Sequence, residues 1–156
     1  IGYTASAGIA ELRARVAAYY TATTGQDYVP AEVIVSNGAK QVLYNVLSIL
    51  LNQGDAVAVP VPFWVTYPAQ VAALRGQTVE IHPASGWKVT AADLERDGAG
   101  DCRALILNSP VNPTGAVYPE RILREMIRIP EMVGLYLTER RRSSRSGYQL
   151  LSGSRR

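Results

Sequence analysis

Apolar and polar positions along the chain follow two different periods. Short β-branched or apolar runs predict strands, whereas apolar residues spaced three or four apart predict amphipathic helices. The predicted strands are 33–35, 56–60, 78–81, 103–107 and 132–137. The predicted helices are 10–21, 41–51, 65–74, 91–96 and a last one marked by Ile122, Met126 and Ile129. Because strands and helices alternate, we predict an α/β fold, a mostly parallel sheet with helices on both faces.

Length and composition limit the size and class of the protein. With 156 residues, 47% of them hydrophobic, the chain can build one core, so we expect one domain or one piece of a larger one. It begins at Ile1 without an initiator methionine, which we interpret as a trimmed or partial chain. The sequence has no signal-peptide pattern and no apolar stretch long enough to span a bilayer. We therefore expect a soluble cytoplasmic protein without a membrane partner.

Charge divides the chain into a body and a tail. Residues 138–156 hold six arginines and one acidic residue, whereas the residues before them hold ten basic and twelve acidic side chains. The tail has too little apolar content to offset the entropy of ordering, so we predict that it is disordered. The net charge of +3 comes from this tail, and the body gives no electrostatic reason to expect nucleic acid binding.

Neither of the two most reactive single side chains predicts a metal site or a nucleophile. No other metal-ligating residue stands at a suitable spacing from Cys102, and neither residue next to His82 in the sequence is a carboxylate or a histidine. We therefore predict no metal centre.

Three loops that follow predicted strands carry the candidate chemistry. Residues 36–40 lead into a helix whose first-turn amides can bind an anion, the loop at 62–64 offers a flat aromatic ring, and residues 108–115 offer two asparagines. The carboxyl ends of parallel strands meet at one edge of a sheet, so these loops suit a phosphorylated, planar cofactor. The alternative is that they are ordinary turns and helix caps.

The order and spacing of four motifs resemble one enzyme family. These motifs occupy residues 2–9, 35–41, 62–68 and 108–118, the last reading Asn-Ser-Pro-Val-Asn-Pro-Thr-Gly-Ala-Val-Tyr. Over residues 1–137 the sequence resembles the class I (fold type I) pyridoxal-phosphate-dependent aminotransferases, close to the aspartate aminotransferase branch. The resemblance implies that 1–137 is part of the cofactor-binding large domain and that 138–156 is a tail outside the family pattern.

The resemblance also implies roles for particular residues. Pyridoxal 5'-phosphate would be the cofactor, its phosphate held at the start of the second helix and its ring stacked on a tryptophan. An asparagine would bind the ring hydroxyl oxygen and, with the tryptophan, the substrate. A tyrosine would reach the phosphate of a neighbouring subunit, which implies a homodimer. The matching positions are Tyr3, Gly38, Ala39, Lys40, Trp64 and Asn112.

The implied reaction moves an amino group between an amino acid such as aspartate and a 2-oxo acid. The sequence departs from the family after residue 137, where the family has an aspartate for the pyridine nitrogen and later a Schiff-base lysine. The only lysines here are Lys40 and Lys88, and neither matches that position. We therefore assign no catalytic residue and expect a chain truncated before that lysine and inactive by itself. The alternative is a non-catalytic α/β binding or interaction module with a basic tail.

Overall fold

A computed structural model describes residues 3–126 and the backbone of residues 133–138. The chain divides into two compact units, Ile1–Asn45 and Val46–Arg156, and each is described by itself. The predicted basic tail lies, apart from the backbone of its first residue, outside the described residues. The same is true of the predicted helical position at Ile129.

The first unit contains helix α1 (Ala10–Thr24), a short 3₁₀ helix (Pro30–Glu32) and the first half of helix α2 (Ala39–Leu50). Helix α1 continues almost one turn beyond its predicted end. It ends at Gly25, whose left-handed backbone lets its N–H donate to the Thr21 carbonyl oxygen at 3.0 Å. The cap residue, rather than the last apolar residue, therefore sets the length of the helix.

The strand predicted at residues 33–35 is wrong, because this extended segment does not join a sheet ladder. The Val35 N–H donates to the Ala7 carbonyl oxygen at 3.0 Å, and Arg13 Nε donates to the Val33 carbonyl oxygen at 2.7 Å. The segment therefore bonds to a loop and a side chain. A β-branched run predicts extended backbone, but it does not specify the partner of that backbone.

Gly8 provides a test of this loop contact. Its φ is +98°, and a Cβ placed on it would lie 2.7 Å from Val35 Cβ. We expect Gly8→Ala to lower the free energy of unfolding by about 2 kcal/mol, because backbone strain and a steric clash add. Urea denaturation of the variant and the parent chain measures the loss.

Gly25→Ala is the matched control for the strain alone. Gly25 also has a positive φ, +73°, but a Cβ there meets no atom within 4 Å. The free energy of unfolding of this control should fall by about 1 kcal/mol. Equal losses in the two variants would contradict the predicted clash with Val35.

The second unit is built on a four-stranded parallel sheet. Its strands are β1 (Ala56–Pro60), β2 (Gln77–Ile81), β3 (Ala104–Ser109) and β4 (Val133–Thr138). The strand order is β2-β1-β3-β4, with Ala56 opposite Gln77, Val57 opposite Ala104, and Ala104 opposite Val133. The predicted parallel α/β sheet is confirmed, and β1 has the predicted bounds.

Helices cover both faces of the sheet, as predicted. They are α3 (Thr66–Ala73) between β1 and β2, α4 (Ala91–Arg96) between β2 and β3, and α5 (Glu120–Met126) after β3. The chain moves one way from β1 to β2 and the opposite way from β2 to β3 and β4. Since such crossovers are right-handed, α3 lies on one face, and α4 and α5 lie on the other. Leu94 and Met126 accordingly share one buried cluster with Ala58 and Leu105.

The second unit also contains a polar network at the start of α4. Asp93 is only 3% exposed, and its carboxylate accepts hydrogen bonds from the N–H groups of Ala84 (3.1 Å) and Thr90 (2.8 Å). It also accepts from Thr90 Oγ1 at 2.9 Å and from Arg96 Nη1 at 2.6 Å. Thr90 in turn accepts the Asp93 N–H, which completes a capping box. One carboxylate thus ties the β2–α4 connection to the helix.

Two carboxyl groups of this network have lowered pKa values. Burial by itself raises the pKa of Asp93, but the hydrogen bonds from Thr90, Arg96 and Ala84 together outweigh it and hold the pKa below its usual value. The hydrogen bond from Arg96 lowers the pKa of Asp97 to about 2, helped by the His82 N–H at 2.7 Å. Both carboxylates therefore stabilise the fold in their charged form.

None of the helices within the described residues is both long and apolar enough to cross a membrane.

Candidate functional site

The strand order creates a switch in direction between β1 and β3. The chain leaves β1 towards one edge of the sheet and returns on the other side of β1 as β3. The loops that follow these two strands therefore diverge, and a crevice opens at their carboxyl ends. In open α/β sheets this is the usual position of a bound ligand.

A cleft occupies this position in the second unit. The β1 side contributes Pro60, Phe63 and Tyr67, and the β3 side contributes Asn108, Asn112 and Tyr118. Its empty volume is about 230 Å³, including the open solvent at its mouth. Aromatic walls with a few amide groups suit one side of a planar polar ligand.

The loop after β3 presents Asn112 at this cleft. The Val111 N–H donates to the Ala116 carbonyl oxygen at 2.8 Å, and the Gly115 N–H donates to the Val111 carbonyl oxygen at 2.6 Å. The Asn112 N–H donates to Asn108 Oδ1, also at 2.6 Å. Asn112 itself is exposed. Its backbone is therefore held while its carboxamide can reach a ligand.

Tyr118 anchors the far end of the same loop, a role that the sequence analysis missed. The side chain is buried, and its hydroxyl oxygen accepts the Val89 N–H at 3.1 Å. The Tyr118 N–H donates to Ser109 Oγ, again at 3.1 Å. Burial raises the pKa of the Tyr118 hydroxyl, so it stays neutral at physiological pH. Its partner Val89 is 29 residues away in sequence, and no local pattern indicates this contact.

The predicted aromatic Trp64 is half-buried in the loop after β1. Its ring meets the Tyr67 ring edge-on, with centroids 5.8 Å apart and planes at 88°. Phe63 belongs to the lining of the cleft, whereas Trp64 does not. The stacking of Trp64 on a cofactor ring stays a prediction.

The predicted anion cradle belongs to the first unit. Gly38 directly precedes α2 with a φ of +80°, and its N–H donates to the Ser36 carbonyl oxygen at 2.8 Å. Helix α2 begins two residues before its predicted start, so Ala39 and Lys40 form part of its first turn. Ala39 is the first helical residue, so its N–H has no carbonyl partner within the helix. The arrangement suits a phosphate group.

The remaining predicted site residue, Tyr3, is fully exposed and also belongs to the first unit. Asn112 is the one predicted residue that the structure places in the lining of the β1–β3 cleft. Lys88 is exposed in the connection before α4. Among the residues that the structure describes, no group of three or more His, Cys, Asp and Glu side chains could hold a metal ion.

Comparison with known proteins gives consistent matches. The family model for aminotransferase class I and II matches residues 2–137. The aspartate aminotransferase of Bacillus sp. (strain YM-2) is 39% identical over 129 residues, which cover 81% of this chain and 33% of the relative. The probable aspartate/prephenate aminotransferase of Aquifex aeolicus is 36% identical over 137 residues, which cover 86% of this chain and 35% of the relative.

Solved structures agree with these sequence matches. The aspartate aminotransferase from Thermus thermophilus with maleate superposes with a TM-score of 0.82 at 35% identity, over 88% of this chain and 37% of that one. The aromatic aminotransferase from Pyrococcus horikoshii has a TM-score of 0.83 at 29% identity, over 88% of this chain and 38% of that one. The chain thus spans about a third of the length of the curated relatives it matches.

Proposed function

Because this chain belongs to the aminotransferase class I and II family, we propose that it is part of a pyridoxal-phosphate-dependent aminotransferase. The enzyme would move an amino group between an amino acid such as aspartate and a 2-oxo acid. The observation that carries the proposal is the cleft at the β1–β3 switch, which is lined by aromatic rings and by Asn112. Relatives named aspartate and aspartate/prephenate aminotransferases support the choice of aspartate as donor.

Each unit, taken by itself, offers residues that suit one chemical group of this cofactor. In the first unit, the start of α2 suits the phosphate. Gly38 adopts a backbone that favours glycine, and Ala39 brings a first-turn N–H group towards an anion. In the second unit, apolar and aromatic walls suit a pyridine ring, and the exposed carboxamide of Asn112 suits a ring hydroxyl. When bound, pyridoxal phosphate supplies the electron sink for amino-group transfer.

The described side chains would bind and orient rather than react. Lys40 would add positive charge near the phosphate, and Trp64, held edge-on by Tyr67, would stack on the ring. The Asn112 carboxamide would donate a hydrogen bond to the ring hydroxyl oxygen and help to place the substrate carboxylate. The fully exposed Tyr3 would reach the phosphate site of a second copy, which supports a homodimer.

We also propose that the catalytic lysine belongs to a part of the enzyme that this sequence does not include. The two lysines here lie at the first turn of α2 and in the exposed connection before α4. The family match ends at residue 137, which supports assigning the arginine-rich segment 138–156 to a non-family tail. That tail lies almost wholly outside the described residues, so the alternative of an interaction module stays a prediction, as does the cytoplasmic location.

Binding of pyridoxamine 5'-phosphate tests the proposed cofactor site. This ligand carries the phosphate, ring and hydroxyl of the cofactor but has no aldehyde to react with surface amines. We expect Asn112→Ala to weaken its binding about three- to tenfold, the effect of one lost hydrogen bond. Titration followed by tryptophan fluorescence measures the affinity.

Asn52→Ala is the control, because Asn52 is an exposed asparagine that lies in the α2–β1 connection, outside the lining of the cleft. It should bind like the parent chain. A parent chain that does not bind pyridoxamine phosphate, or an Asn112→Ala variant that binds it equally well, would contradict the proposal.

A further inference from the structure

The last two residues of β3 both hold the loop that follows them. Asn108 and Ser109 are consecutive in the strand, so their side chains point to opposite faces of the sheet. Asn108 Oδ1 accepts the Asn112 N–H at 2.6 Å, and Ser109 Oγ accepts the Tyr118 N–H at 3.1 Å. The loop is therefore tied to its own strand near both of its ends.

Between these two ties the loop is closed on itself. Hydrogen bonds from Val111 to Ala116 and from Gly115 to Val111 link its two sides, and Gly115 turns the chain with a φ of +72°. These contacts limit how far the loop can change its own shape. Its orientation over the cleft is consequently decided by the ties at its base.

The two ties are not equally supported by packing. Tyr118 is buried, and its hydroxyl has a second contact to the core through the Val89 N–H. Asn112 is exposed, so little packing holds it in place. At the cleft end, Val111 packs against the core one residue before Asn112, and the hydrogen bond to half-buried Asn108 holds the Asn112 N–H itself.

We propose that Asn108 is a positioning residue that holds Asn112 in place to recognise the hydroxyl-bearing edge of a planar ligand ring. It acts through its side-chain oxygen on the Asn112 backbone. Loss of that oxygen frees the exposed Asn112 carboxamide to turn away from the cleft. This inference rests on the proposed function, because it takes the ligand of Asn112 to be the cofactor ring.

The test compares two ligands that differ only at the ring hydroxyl, pyridoxamine 5'-phosphate and its 3-deoxy analogue. The parent chain should prefer the first about three- to tenfold. Asn108→Ala should reduce this preference to near one, and any change in affinity that is common to the two ligands cancels in the ratio. Asn108→Asp keeps the side-chain length and an acceptor oxygen, so it should restore the preference. Its negative charge should affect both ligands equally, because both carry the same phosphate.

A purely structural role for Asn108 would lower stability without changing the ratio of the two affinities. Circular dichroism melts show whether Asn108→Ala folds. If it does not, Asn108→Ser takes its place, because its shorter side chain stays polar but does not reach the Asn112 N–H. Faster hydrogen exchange at the Asn112 amide in either variant would confirm that the tether is broken.

Three results separate the proposals. A preference lost in both Asn108→Ala and Asn112→Ala supports the positioning role. A preference kept in Asn108→Ala but lost in Asn112→Ala overturns the positioning role and leaves the proposed function standing. No preference in the parent chain overturns both.

Discussion

The 156-residue chain should transfer the amino group of aspartate to 2-oxoglutarate no faster than free pyridoxal phosphate does. Amino-group transfer needs a Schiff-base lysine, which holds the cofactor covalently and then moves a proton. The sequence offers only Lys40, at the first turn of α2, and Lys88, in the exposed connection before α4. Relative to a complete enzyme, the expected loss is on the order of 10⁶-fold or more.

A coupled assay for oxaloacetate measures the rate, with free cofactor at the same concentration as the reference. Borohydride reduction followed by mass spectrometry should find the cofactor scattered over surface amines at low yield. Lys88→Arg, which lies outside the proposed cofactor site, should leave the background rate unchanged. Turnover above background together with one equivalent of cofactor fixed at one lysine would contradict the proposal that the catalytic lysine is not in this chain.

Asp93→Ala should lower the free energy of unfolding by about 3 kcal/mol. The substitution removes a buried carboxylate that accepts four hydrogen bonds, and it leaves the N–H groups of Ala84 and Thr90 without that acceptor. Urea denaturation followed by circular dichroism measures the change. Glu95→Ala, an exposed acid on the same helix, should change stability by less than about 0.5 kcal/mol.

The effect of Asp93→Ala should also depend on pH. Because the pKa of Asp93 is lower in the folded chain than in the unfolded one, its ionic contribution is fully present above the ordinary value of 3.8 and is lost as the pH falls through the lowered value. The difference between the variant and the parent chain should therefore shrink as the pH is lowered below 4. A difference that stays constant down to pH 2 would show that the contribution of Asp93 to stability does not depend on its charge.

Elements whose boundaries are set by nearby residues could be predicted from the sequence. Strand β1 and helix α4 have the predicted bounds, the latter because Thr90 and Asp93 form a capping box at its start. The strand order and the absence of residues 33–35 from the sheet could not be predicted in this way. They depend on which distant backbone groups supply the hydrogen bonds, and periodicity does not contain that information.

In the candidate site, too, features set by nearby residues could be predicted, whereas contacts between distant residues could not. The asparagines and the glycine of residues 108–115 predict a ligand-facing loop, and the structure places Asn112 in the lining of the cleft. The anchoring of that loop through Tyr118 was missed, because its partner Val89 belongs to a different connection. The roles predicted for Trp64 and for residues 38–40 stay predictions.

The central position of β1 sets an order for the assembly of the sheet. Its register with β2 joins residues 21 positions apart (Ala56 and Gln77), whereas its register with β3 joins residues 47 positions apart (Val57 and Ala104). Closing the loop between β1 and β3 costs about 0.7 kcal/mol more in chain entropy than closing the loop between β1 and β2. The segment β1–α3–β2 should therefore form before β3 docks. The cleft exists only after that docking. A ligand of the cleft can therefore slow the undocking of β3 but cannot speed the first pairing of strands.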